Sequence, residues 1–202
     1  MKAEDVKVCV IRIEGTNCED EMYQAFKMVG ASPELVHLKQ LAGKAPVHAK
    51  RHLEDYDILA FPGGFSAGDY VRAGAIFAAR IKSDIGTELK RFVESEKPVL
   101  GVCNGFQTLV ELGLLPAFEG VMSETPTAAL STNDSGRFEC RPTYLRNDNR
   151  GKCIFTSEMK KGQIGMFPLA HAEGKLRSED ALRREAGGER SGGIQVCGPR
   201  RR

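Results

Sequence analysis

The 202-residue chain contains no tryptophan, and its charges nearly cancel, leaving a net charge of +2. A nucleic-acid binder needs a basic stripe or a row of stacking aromatics, and the sequence shows neither. Its longest arginine run is the terminal Arg200-Arg201-Arg202, which reads as a solvated end. No segment approaches the ~20 consecutive apolar residues that cross a bilayer, so no membrane partner is expected. The opening Met1-Lys-Ala-Glu-Asp5 lacks the basic-then-apolar order of a secretion signal. Six cysteines stand at positions 9, 18, 103, 140, 153 and 197, none of them in a C-x-x-C pair, so no metal site is expected. These absences point to a cytoplasmic protein with reduced thiols.

What is present is an alternation of apolar runs and amphipathic stretches. Val6–Ile13, Glu34–Leu38, Tyr56–Phe61 and Val99–Val102 read as strands. Between them, Glu19–Val29 carries Met22, Phe26 and Val29 on one side, and Ile76–Glu94 is also helical in period. Asn17 reads as the cap of the first helix. Residues 39–54 are polar and without a clear period. Strands alternating with helices imply a mostly parallel sheet covered on both faces. After Glu111 the pattern changes. Arg137–Leu145 alternates like an antiparallel or edge strand, and Ile164–Ala170 is a further short strand.

The most informative segment is Gly101-Val-Cys-Asn-Gly105, between the strand Val99–Val102 and the helical stretch Phe106–Leu112. This is the nucleophile-elbow pattern, with sulfur where a serine hydroxyl stands in many hydrolases. Side chains at the flanking positions would collide in so tight a turn, and glycine removes the collision. Cys103 then sits at a helix N-terminus, where free N–H groups favour a thiolate. The bland reading of the same cysteine is a buried structural residue.

In an open α/β sheet, reactive groups gather at the carboxyl ends of the strands. Two more loops belong there, Glu14-Gly-Thr-Asn-Cys18 and Phe61-Pro-Gly-Gly-Phe-Ser-Ala-Gly-Asp-Tyr70. A backbone N–H of the Gly63-Gly64 turn, with the amide of Asn104, would make an oxyanion hole. Alternatively, the two glycines only end a strand. A thiolate nucleophile needs a base. His48 and His52 lie in the polar stretch and read as solvated, and His37 reads as a satisfied core histidine. In Pro168-Leu-Ala-His-Ala-Glu-Gly174, His171 and Glu173 would point the same way on an extended chain, like a base and its orienter.

Over residues 6–176 these motifs, with Arg72-Ala-Gly-Ala75 and Asn133-Asp-Ser-Gly-Arg-Phe138, resemble the PurQ-type glutaminase subunits of phosphoribosylformylglycinamidine synthase. These form a branch of the class I glutamine amidotransferases. The resemblance implies a three-layer, flavodoxin-like α/β fold. It implies that Cys103 attacks the glutamine carboxamide, that the amides of Gly64 and Asn104 hold the oxyanion, and that a γ-glutamyl thioester forms and is hydrolysed. The released ammonia would go to a large ATP-dependent synthetase subunit, with a small PurS-type third subunit. There it would convert formylglycinamide ribonucleotide to the amidine in purine biosynthesis. ATP and Mg belong to the synthetase, and no cofactor is expected in this subunit.

One departure stands out. The family's triad histidine and glutamate come from a late His-Pro-Glu segment, which this chain lacks. His171 and Glu173 match an earlier family segment and are expected at most to line the site or an interface. Residues 177–202 are charged and glycine-rich and read as an aberrant tail, disordered or out of frame, with the family's C-terminal part missing. Codons for Gly192–Pro199 shifted by one base permit Val-Val-Phe-Arg-Tyr-Val-Asp-Pro, similar to a further family strand. A catalytically impaired form that only binds partners is the alternative expectation.

Overall fold

The structure is a computed structural model that describes residues 2–117, 120–148 and 153–178. The expectation for the tail lies outside these residues beyond Ser178. In chain order the regular elements are β1 (Lys7–Arg12), α1 (Glu19–Met28), β2 (Ser32–His37), α2 (Leu38–Leu41), β3 (Ile58–Phe61), α3 (Ala75–Glu94), β4 (Val99–Gly101) and α4 (Asn104–Glu111). They are followed by β5 (Ala128–Thr132), β6 (Glu139–Arg146), β7 (Ile164–His171) and β8 (Glu173–Ser178).

β1 to β4 form one parallel sheet in the order β2-β1-β3-β4. Its central strands are apolar without alternation, as a sheet buried on both faces requires. Val8, Cys9, Val10 and Ile11 are all fully buried. Val8, Val10 and Ala60 face Met22 and Phe26 of α1 on one side. Cys9, Ile11, Leu59 and Phe61 join the larger core on the other, with Phe77, Ile81, Ile85 and Leu89 of α3 and Leu109 of α4. Burying each such side chain stabilises the fold by about 1.5–3 kcal/mol. The expected α/β architecture with helices on both faces is therefore present.

The second part is different. β5 pairs with β8 and β6 with β7, each as a two-stranded antiparallel ribbon. The alternating Arg137–Leu145 run is β6, starting two residues later than the sequence suggests. β5 and β8 have no counterpart in the sequence reading. Asn17 does not cap α1; Cys18 occupies the N-cap position. The Asn17 side chain accepts a hydrogen bond from Phe65 N at 3.2 Å instead, tying the loop after β1 to the loop after β3.

Candidate active site

Three loops meet at the carboxyl ends of β1, β3 and β4, as the sequence suggests. The first two are zipped together. Thr16 bridges Gly64 in antiparallel fashion. Thr16 Oγ1 lies 3.0 Å from Ser66 Oγ, and Ala67 N donates to Glu14 O at 2.9 Å. Glu14 anchors the first loop from outside by accepting from Lys39 Nζ and Arg80 Nη1, each at 2.6 Å. The Lys39 hydrogen bond, foremost among its contacts, lowers the Glu14 carboxyl to about 2.

The elbow is as tight as the motif implies. Cys103 has φ 50° and ψ −111°, a strained conformation for a residue with a Cβ. A Cβ at Gly105 would stand 2.1 Å from Phe61 O, and one at Gly101 would stand 2.8 Å from the Gly105 carbonyl. Neither position admits a side chain. The turn thus presses the start of α4 onto the end of β3 and holds Cys103 outward, where it is exposed. That exposure removes the structural-cysteine reading.

The Gly63-Gly64 turn lies against this thiol. A Cβ at Gly63 would sit 3.4 Å from Cys103 Cβ. Gly64 has φ +112°, and a Cβ there would meet Asn17 Oδ1 at 2.8 Å. Asn104 is fully buried and held on three sides. Its Oδ1 accepts from Ser66 N at 3.2 Å. Its Nδ2 donates to both oxygens of Asp69, at 3.0 and 3.2 Å, and to Gln107 Oε1 at 3.2 Å. Asp69 also accepts from Gly74 N at 3.2 Å. Gln107 Nε2 reaches Glu173 O at 2.8 Å. This network fixes the first residue of α4, and sequence reasoning assigned no role to Ser66, Asp69 or Gln107. The Asn104–Gln107 spacing, one helical turn, was the available signal. The approach of Asp69 is non-local and left none.

His171 and Glu173 do not form a base–orienter pair. His171 ends β7 opposite Glu139, whereas Glu173 begins β8 opposite Thr132. The chain changes ribbons between them, so the two-residue period of a single strand does not carry across. His171 Nδ1 lies 3.0 Å from Asn133 Oδ1, and Glu173 Oε2 accepts from Ala73 N at 3.0 Å. The polar contact of Cys103 Sγ is the carbonyl of Ala170, at 3.7 Å. Among the described residues no histidine hydrogen-bonds the thiol. His37 caps α2, accepting from Lys39 N at 3.1 Å, and burial lowers its imidazole. His48 and His52 are exposed, as expected. No cluster of His, Cys, Asp and Glu fit for a metal ion occurs among the described residues, and no described helix is long and apolar enough to cross a membrane. At the Glu111 end of α4 an open groove of about 730 Å³ is lined by Arg72, Glu111, Leu130, Glu173 and Arg177. Across it Arg72 makes a two-pronged bond to Glu111, at 2.7 and 2.6 Å.

A parallel α/β sheet carrying an exposed cysteine on a glycine-flanked strand-to-helix turn defines the class: an α/β protein with a cysteine at a nucleophile-elbow turn. Within that class, the chain belongs to the CobB/CobQ-like glutamine amidotransferase domain family, whose profile matches residues 5–190. Among known proteins it is similar to the phosphoribosylformylglycinamidine synthase subunit PurQ of Archaeoglobus fulgidus, 52% identical over 179 residues, which are 87% of this chain and 65% of that one. The PurQ subunit of Dehalococcoides mccartyi is 40% identical over 171 residues, covering 85% of this chain and 63% of its own length. The chain thus spans a little under two thirds of these relatives. Among solved structures, PurLQS from Thermotoga maritima superposes with a TM-score of 0.70 at 33% identity, covering 86% of this chain and 70% of that one.

Proposed function

We propose that the chain is the glutaminase subunit of phosphoribosylformylglycinamidine synthase. Cys103 attacks the side-chain carboxamide carbon of glutamine. The amides of Gly64 and Asn104 take the developing oxyanion, collapse expels ammonia, and water releases glutamate from the γ-glutamyl thioester. The ammonia passes to a large synthetase subunit that uses ATP and Mg to make the amidine, with a small PurS-type subunit completing the assembly. The reading carries with it a cytoplasmic location, where thiols stay reduced. The observation that supports it most is the outward Cys103 at φ 50°, locked by Gly101 and Gly105 beside the Gly63-Gly64 turn. The test is Cys103→Ala in the assembled synthase. Amidine formation from glutamine is expected to vanish while formation from free ammonium survives. Continued use of glutamine would remove Cys103 from the reaction.

The alternative, a subunit that binds partners with little turnover of its own, is not favoured by the likeness to PurQ subunits, but among the described residues no histidine hydrogen-bonds the thiol. Acid–base help is worth about 10²–10⁴-fold, so the 202-residue chain is expected to release glutamate slowly even with its partners. Steady release that His171→Ala destroys would assign the base to His171 instead.

A further inference from the structure

Cys18 and Cys103 border one position that carries no side chain. Cys18 ends the loop after β1 and caps α1, and Cys103 follows β4 and caps α4. β3 lies between β1 and β4 in the sheet, so the Gly63 turn that follows β3 runs between the two cysteines. A Cβ built on Gly63 would stand 3.4 Å from Cys103 Cβ and 3.8 Å from Cys18 Cβ. Both thiols are free; Cys103 is exposed and Cys18 half-buried. The two Cβ atoms are therefore no more than about 7.2 Å apart; a disulfide needs about 3.5–4.5 Å, so the loops after β1 and β4 must move toward each other, with no side chain at position 63 to hold them apart.

We propose that Cys18 is the resolving thiol of Cys103: a peroxide-class oxidant converts Cys103 to a sulfenic acid, and Cys18 then closes a disulfide that takes the nucleophile out of use. The proposal rests on Cys103 being the reactive thiol. In the first step the Cys103 thiolate attacks one peroxide oxygen, the O–O bond breaks, and hydroxide leaves. In the second, Cys18 gives up its proton and its sulfur attacks that of Cys103. The S–S bond forms, the S–O bond breaks, and the departing hydroxide takes the proton to become water. A dithiol reductant reverses the bond by exchange.

The surroundings fit this division of labour. Burial, the Glu21 carboxylate, a thiolate at Cys103 and Glu19 push the Cys18 thiol up, so Cys18 stays protonated while Cys103 meets the oxidant. Cys9 is fully buried, and burial with Glu34 pushes its thiol far up, so it takes no part. Among the described residues the competitor is Cys140, which is exposed and pairs with Ala170, the residue whose carbonyl contacts Cys103 Sγ.

The test treats the reduced 202-residue chain with hydrogen peroxide, blocks remaining thiols with N-ethylmaleimide, and maps peptides without reduction. The expected result is a Cys18–Cys103 linked peptide that dithiothreitol dissolves. With Cys18→Ser no link forms and Cys103 accumulates as a dimedone-reactive sulfenic acid. Gly63→Ala, which places a methyl group between the two cysteines, slows linking while iodoacetamide still alkylates Cys103 in the reduced chain. A Cys103–Cys140 link, or equal dimedone labelling of Cys103 with and without Cys18, overturns the proposal and leaves the nucleophile standing. A Cys103 inert to both peroxide and iodoacetamide overturns the proposal and the nucleophile reading together.

Discussion

The four-stranded parallel sheet and the β6–β7 ribbon are built on opposite terms. In the sheet, Val8 to Ile11 are buried on both faces, and the strands are held by helices as well as by one another. In the ribbon, no residue of β6 or β7 is fully buried, and Tyr144, Ile164 and Met166 are more than half exposed. Yet the site draws on both. The sheet supplies Cys103, Gly64 and Asn104, and the ribbon supplies the Ala170 carbonyl beside the thiol. The proposed nucleophile is set by rigid packing, whereas its far wall comes from a part with little packing of its own.

Three substitutions sharpen this contrast. Gly105→Ala forces a methyl group to within 2.1 Å of Phe61 O, and a clash of that kind ranks with the most damaging single changes, above about 4 kcal/mol. Thermal unfolding followed by circular dichroism should show a fall in Tm of roughly 10 °C or more, or no folded protein. An unchanged Tm would mean that the elbow is no more constrained than the ribbon. On the proposed oxyanion role, Gly64→Val turns one N–H away from the developing charge and should act chiefly on turnover, a loss worth about 3 kcal/mol in barrier. Steady-state kinetics of the assembled synthase should show kcat falling with little change in KM, and the opposite split would reduce the loop to a pocket wall. Tyr144→Ala should change stability by no more than about 0.5 kcal/mol, since its side chain is largely in solvent. A larger loss in urea unfolding would show that the ribbon face is packed after all.

The parallel half was legible because its strands are short β-branched runs between turn residues, a pattern that only a doubly covered sheet explains. The elbow was legible for a related reason: Gly101 and Gly105 are local, and their steric requirement is written at fixed offsets from Cys103. The later ribbons were harder. β5, Ala-Ala-Leu-Ser-Thr, has little strand propensity, and its partner β8 lies more than forty residues away. The His171–Glu173 pairing failed because a two-residue period holds only within one strand, and the chain changes partners between them. Asn17 looked like a cap because its type suits one, but its carbonyl serves a bond to Phe65 across the loops. Asp69 was visible in its motif, but its grip on Asn104 exists only once β3 and β4 lie side by side.

The close seat of Gly105 on Phe61 has a further consequence, in the exchange of backbone protons with solvent. Val102 N donates to Phe61 O at 3.1 Å and Gly105 N to Val102 O at 2.9 Å, directly behind the exposed thiol. These bonds cannot open one at a time, because the contact that closes them also joins β3 to α4. Their protons should therefore exchange only when the whole parallel sheet comes apart, at the slowest rate in the molecule. The amides of β6 and β7, with no second layer to hold them, should exchange by local fraying. An exposed sulfur would thus stand on one of the least yielding stretches of backbone among the described residues.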